Sequence, residues 1–228
     1  MRRCGRTGGG REVAASPDRT HLTYDYWRYA GRDFTEFYEV LYDRMRPAQP
    51  VLELGSGLGY FLDCCRRHGL PALGIESSQE GTAEAAKRGH SVVRADVTVP
   101  FPFKDDRFGS AFAHHVLEHV PLAGERSLLK EVHRVLRPGG FLFVVSPNRH
   151  VREAYVDPDH INLFTAHELG EELRGAGFRR VSLGTNYWRP FWDPALRLGR
   201  LSGVISGALW KIAPIDRLAG TASAIAWK

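Results

Sequence analysis

The passage that most constrains this chain runs Val51-Leu52-Glu53-Leu54, then Gly55-Ser56-Gly57-Leu58-Gly59, then Tyr60. The first stretch reads as a short buried parallel strand, and the pattern after Tyr60 is helical. Glycines at such a turn let a ligand approach the backbone closely and leave amide N–H groups free. About twenty residues later comes Gly74-Ile75-Glu76, where an acid ending the next strand is placed to accept hydrogen bonds from a ribose diol. Together the two features point to a ligand that contains a nucleoside.

The spacing separates one such ligand from another. The dinucleotide fingerprint is G-x-G-x-x-G, but here the third glycine comes one residue early, at Gly59, and Tyr60 takes the last position. Glu53 stands two residues before the first glycine. A carboxylate there repels a pyrophosphate and favours a sulfonium and an amino group. The pattern E-x-G-x-G-x-G therefore suits S-adenosylmethionine.

Four further stretches bear on family. These are Arg94-Ala95-Asp96-Val97; Phe101-Pro102-Phe103 through Phe108 with His115-Val116-Leu117-Glu118-His119-Val120; Leu129 through Gly140, which closes on Arg137-Pro138-Gly139-Gly140; and His160 through Thr165 with Gly175-Ala176-Gly177-Phe178. On these residues, from about Pro50 to Phe178, the chain resembles a class I S-adenosylmethionine-dependent methyltransferase. The similarity is to the small-molecule type related to the ubiquinone and menaquinone biosynthesis methyltransferases. It implies a single doubly wound, Rossmann-like α/β sheet of seven strands in the order 3-2-1-4-5-7-6, with the last strand antiparallel and helices on both faces. It also implies S-adenosylhomocysteine as product. Gly55, Ser56, Gly57 and Gly59 would form the cofactor turn, and Glu53 would sit near the methionine end. Glu76 would hold the ribose, Ser77 would lie beside the adenine, and Asp96 and Val97 would meet its amino group and ring. One departure from the family pattern is Gly109, where an acid is usual after Phe108.

Bulk properties bound the rest. The 228 residues suffice for one well-buried α/β domain. The net charge of +5 traces largely to Arg2, Arg3, Arg6 and Arg11 in a glycine-rich start, which reads as a disordered tail over 1–20. An RNA-binding arm is the alternative there, but no basic stripe interleaved with aromatics follows, so no nucleic-acid partner is expected. The three cysteines, Cys4, Cys64 and Cys65, suggest a reducing compartment. With no signal-peptide pattern and no span of transmembrane length, a cytoplasmic monomer or homodimer is expected.

Along the chain, 21–49 reads as an aromatic-rich helical cap, with a helix from Tyr24 to Arg44, and 50–228 as the main domain. Strands are expected near Val51–Leu54, Ala72–Ile75, Ser91–Arg94, Gly109–Ala113, Phe141–Val145, Arg179–Asn186 and Thr221–Trp227, with helices between them. Arg137–Gly140 reads as a turn, and Thr165-Ala166-His167-Glu168 as a capping box. An insertion at about 188–220 carries Leu198, Leu201, Ile205, Ala208 and Ile212 at helical spacing. That apolar face, with basic residues opposite, could lie on a membrane surface over 196–212.

Methyl transfer from a sulfonium is an in-line displacement, so a base is needed only if the acceptor must lose a proton. His114, expected from the resemblance at the end of the fourth strand near the donated methyl, is the first base candidate; the alternative is that it holds the cofactor through its backbone and its side chain is incidental. His160, in Asp157-Pro158-Asp159-His160, is the second, and His119 reads as structural. Nothing in the sequence demands a metal, although His115 and His119 share i, i+4 spacing. Tyr24, Trp27, His115, His160, Tyr187 and Trp188 are the expected acceptor contacts, with Tyr26, Tyr29, Phe191 and Trp192 completing two aromatic walls. The expected acceptor is a small aromatic or apolar molecule, with O-methylation favoured. A quinone or lipid-linked sugar at a membrane surface, and a binding module without activity, are the alternatives.

Overall fold

The computed structural model describes residues 32–186 and 200–228. Within them the chain forms α1 (Thr35–Met45), β1 (Val51–Leu54), α2 (Tyr60–Arg67), β2 (Ala72–Glu76), α3 (Gln79–Lys87), β3 (Val92–Arg94), β4 (Phe108–His114), α4 (Leu122–Val135), β5 (Leu136–Pro147), α5 (Ala166–Gly175), β6 (Arg180–Gly184), α6 (Arg200–Ile212) and β7 (Thr221–Trp227). The seven strands make one sheet in the order β3-β2-β1-β4-β5-β7-β6, as the family resemblance implied. β7 runs antiparallel to both β5 and β6, and the remaining pairs are parallel.

Residue alternation sorts the sheet into two apolar layers. Leu52, Ala111, Ala113, Leu142, Val144, Ala222 and Ala224 face α4 and α5, whose Leu128, Leu129, Val132, Leu169 and Leu173 complete one core. Val51, Phe112, Phe143 and Val145, with Ile225 partly buried, face the other way and meet Leu41 and Met45 of α1 and Phe61, Cys64 and Cys65 of α2. Each fully buried Phe or Leu contributes roughly 1.5–3 kcal/mol over an exposed one, so these layers dominate the stability. α1 is thereby part of the second core.

Local chemistry explains the ends of two helices. Thr165 accepts the amide of Glu168 at 3.2 Å, and Glu168 accepts that of Thr165 at 2.8 Å, so the expected capping box opens α5. Ser78 caps α3 by accepting the amide of Gly81 at 3.1 Å.

Two expectations need correction. The helix expected from Tyr24 begins, among the described residues, only at Thr35, after Asp33 takes that residue's amide in a turn at 2.8 Å. Arg137–Gly140 does not separate α4 from β5. Phe108 pairs with Leu136 and Ser110 with Phe141, so residues 137–140 bulge out within one long strand opposite Gly109. Among its described side chains, α6 buries Ser206 and Trp210, and Trp210 packs with Ala166 and Ala219; of the apolar spacing, Ile205 is half-buried and Ala208 and Ile212 are exposed, while Leu198 and the side chain of Leu201 lie outside the described residues. Ile212 is 80% exposed and Val204 68%. Among the described residues no helix is long and apolar enough to cross a membrane.

Candidate functional site

The turn after β1 is held in a conformation that suits glycine. Gly55, Gly57 and Gly59 have φ of +61°, +50° and +82°. A Cβ at Gly55 would lie 2.8 Å from Cγ2 of Val116, and one at Gly59 would lie 2.7 Å from Cδ2 of His90. The loop is thus pressed against its neighbours at both ends.

Two buried carboxylates flank this turn. Glu76, at the end of β2, is 2% exposed. Its Oε2 accepts the amide of Gly57 and its Oε1 that of Ser78, each at 2.8 Å, while Ser77 donates its hydroxyl at 3.5 Å. An ionised carboxylate offers about four acceptor sites, so capacity remains for a ligand hydroxyl. Glu53, in β1, receives the amide of Leu62, and burial followed by the charge of Glu76 holds its carboxyl well above the ordinary carboxylate range. Its Oε2 and the Oγ of Ser56 are buried and make no hydrogen bond within the protein. Such atoms cost about 1–3 kcal/mol each, and two at one turn mark where a polar, cationic ligand is received. The amino and sulfonium groups of S-adenosylmethionine fit that demand, and the glycine cradle fits its close approach.

At the end of β3, Asp96 is exposed and accepts both the amide and the hydroxyl of Thr98 at 2.8 Å through Oδ1. It forms a turn, as an Asp often does, with Oδ2 outside that arrangement. Val97 packs against the larger core.

The end of β4 gathers aromatic rings. His114 lies 5.3 Å from Phe37 and 6.2 Å from Tyr38, both in α1, 6.0 Å from Phe112 and 4.3 Å from His115. Burial, with the adjacent His115, holds its imidazole well below the ordinary value, so the ring is neutral. His115 takes φ +56° and pairs through Nδ1 with Oε1 of Glu118 at 2.7 Å. Burial opposes its charge, but that carboxylate outweighs burial and raises its pKa. Glu118 is fully buried, and Ser146 of β5 donates its hydroxyl to Oε2 at 3.1 Å.

The loop after β5 closes over this corner. The amides of Ile161 and Asn162 donate to the carbonyl of Glu118 at 2.8 and 3.1 Å. This brings His160 beside His119, with ring centroids 4.9 Å apart. Tyr24, Trp27, Tyr187 and Trp188, with Tyr26, Tyr29, Phe191 and Trp192, lie outside the described residues. Glu118, Phe37 and Tyr38 were not singled out as site residues from sequence. The pattern His115-x-x-Glu118-His119 was the available signal for the first, and the i, i+3, i+4 spacing of Phe34, Phe37 and Tyr38 for the others.

Comparison with known proteins places this geometry. A family model described as a methyltransferase domain matches residues 26–183. A probable S-adenosylmethionine-dependent methyltransferase of Mycolicibacterium smegmatis is 31% identical over 149 residues, covering 62% of this chain and 57% of that protein. The chain therefore spans about half the length of the curated relatives it matches. Among solved structures, a SAM-dependent methyltransferase from Archaeoglobus fulgidus shares the fold, with a TM-score of 0.65 at 19% identity over 91% of this chain and 100% of that one. A possible histamine N-methyltransferase from Thermotoga maritima gives a TM-score of 0.65 at 21% identity over 92% and 97% of the two chains.

Proposed function

The chain belongs to the methyltransferase domain family, whose cofactor is S-adenosylmethionine, and we propose that it transfers the methyl group of that cofactor to an oxygen of a small aromatic or apolar acceptor. The observation that carries this reading is the pair of unpartnered buried atoms, Glu53 Oε2 and Ser56 Oγ, at a turn bounded by two carboxylates. Glu53 and Ser56 would hold the amino-acid end of the cofactor, Glu76 the ribose hydroxyls, and Asp96 with Val97 the adenine.

The bound cofactor supplies a methyl carbon made electrophilic by its sulfonium. Transfer to a hydroxyl would join the acceptor oxygen to that carbon, leave the carbon–sulfur electron pair on sulfur, and require a base for the hydroxyl proton. Neutral His114, in its cluster of rings, would exclude water from the acceptor and present a lone pair for that proton. Phe37 and Tyr38 support an apolar acceptor, since both rings lie within 6.2 Å of His114 between centroids.

Incubation of the purified chain and a metabolite extract with methyl-labelled S-adenosylmethionine tests this. Label in an apolar product is the expected outcome. Absence of S-adenosylmethionine binding in calorimetry overturns both the reaction and the assignment of the turn, and binding without transfer leaves the binding-module alternative.

The exposed stripe of Val204, Ala208 and Ile212 on α6 favours a second reading, in which the acceptor is a quinone or lipid-linked sugar and the chain works at a lipid surface. Flotation with anionic liposomes separates the two readings.

A further inference from the structure

Glu118, His119 and His160 each offer one ligand atom within 4.8 Å of the others. The hydrogen bonds around them decide what those atoms are. Nδ1 of His119 lies 3.2 Å from the carbonyl oxygen of Asp159, and Nδ1 of His160 lies 2.7 Å from that of Ala154. A carbonyl only accepts, so both Nδ1 atoms carry protons, and Nε2 of each ring is the atom left to face a ligand. Donation of one ring N–H to a backbone carbonyl is also how proteins fix the tautomer and orientation of a metal-bound imidazole.

The carboxylate is held in the same manner. His115 and Ser146 bind the two oxygens of Glu118 and leave lone pairs over. Asp157 adds a further oxygen, Oδ2, at 3.9 Å from Nε2 of His160. In a tetrahedron with bonds of about 2.0–2.2 Å the ligand atoms lie roughly 3.3–3.6 Å apart, so atoms now within 4.8 Å of one another need to close by about 1 Å.

We propose that Glu118, His119 and His160 form a binding site for a divalent transition-metal ion, with the carboxylate of Asp157 beside it but outside the ligand set. Two imidazoles and one carboxylate suit the zinc class over magnesium or calcium, which prefer oxygen shells. Three protein ligands leave coordination open for an acceptor hydroxyl, whose proton the ion would loosen. That last role rests on the transfer reaction proposed above. The metal site does not, because it is tested without cofactor or acceptor.

The full-length chain, stripped with a chelator, is titrated with zinc chloride in a calorimeter and with cobalt(II) in a spectrophotometer. One tight equivalent with the intense visible bands of tetrahedral or five-coordinate cobalt is expected. His119→Ala and His160→Asn should each weaken binding at least about tenfold with unchanged circular dichroism. If His119→Ala fails to fold, His160→Asn, a change in the loop after β5, carries the test. His68→Ala is the control, since Glu39, Cys64 and His68 form the other candidate cluster among the described residues. No stoichiometric binding, unchanged affinity in the folded His160→Asn protein, or loss of the ion in His68→Ala would each overturn the assignment.

Discussion

The carboxylate of Glu76 accepts the amide of Gly57 at 2.8 Å, tying the end of β2 to the middle of the glycine turn. One side chain thus shapes the turn and faces the place where a ribose is expected. Glu76→Gln keeps the side-chain size and one acceptor oxygen but loses the charge and turns an NH2 group toward the amide of either Gly57 or Ser78. Charge-assisted hydrogen bonds are worth about 1.5–3 kcal/mol, so S-adenosylmethionine affinity should fall by roughly ten- to a hundredfold in calorimetry. Unchanged affinity would remove Glu76 from the ribose site.

Glu53 makes cofactor binding depend on pH. Burial and then Glu76 raise its pKa in the folded chain, so Glu53 stays protonated above the usual carboxylate value of about 4.3. A cationic ligand favours the ionised form. Binding should therefore release a proton, and affinity should rise as pH climbs through the window between the ordinary and the raised value. Calorimetry in two buffers of different ionisation enthalpy reads the proton directly. Glu53→Gln should abolish the release, and an equal release in that variant would sink the argument.

Neutral His114 predicts acid sensitivity of the fold. Tyr38 and Phe37 from α1, Phe112 beneath and His115 beside it surround the ring, and its pKa is depressed. The unfolded chain takes up a proton near pH 6.5 while the folded chain resists it until lower pH. Between those values the unfolded state binds more protons, so stability falls as pH falls. In thermal unfolding from about pH 7.5 to 5.5, His114→Phe should lose less Tm than the parent chain. Parallel losses would contradict the depressed value.

The glycine turn shows how much of the site was legible in the sequence, and why. Gly55, Gly57 and Gly59 could be placed because a short apolar strand run before them and a helical pattern after them fix where the turn lies, and because their positive φ values suit glycine. The acids at Glu53 and Glu76 followed from strand ends. The approach of His160 to His119 was not legible. It depends on how the loop after β5 hangs its amides on the carbonyl of Glu118, and no periodicity encodes that. Asp96 shows a further limit, since a strand-end acid and a turn-forming acid look alike until Thr98 is seen bonded to it.

Gly59→Ala tests the tightness of that turn. Its φ of +82° and a Cβ that would meet His90 at 2.7 Å and Ala85 at 3.3 Å impose two separate penalties. A left-handed conformation for alanine costs roughly 1–2 kcal/mol, and the contact adds to it. Urea unfolding should show a loss of about 2 kcal/mol or more. A variant as stable as the parent would mean the loop relaxes freely, which is incompatible with a preformed cradle.

The two sides of α6 should respond oppositely to substitution. Helical spacing put Ile205, Ala208 and Ile212 on one apolar face without saying whether it packs or faces outward. Among the described side chains the buried residues are Ser206 and Trp210, one turn apart, with the indole against Ala166 and Ala219. Period reveals that a helix has sides but not which one packs when small, aromatic and aliphatic residues share both. Trp210→Ala empties a buried site and should cost about 3–5 kcal/mol in urea unfolding. Val204 and Ile212 lie outward at 68% and 80% exposure, so Val204→Ser with Ile212→Ser should leave stability within about 0.5 kcal/mol. If α6 meets lipid, that same double variant should lose flotation with anionic liposomes while keeping its cofactor affinity. Equal flotation of both proteins would confine α6 to packing against α5 and remove the lipid-surface reading.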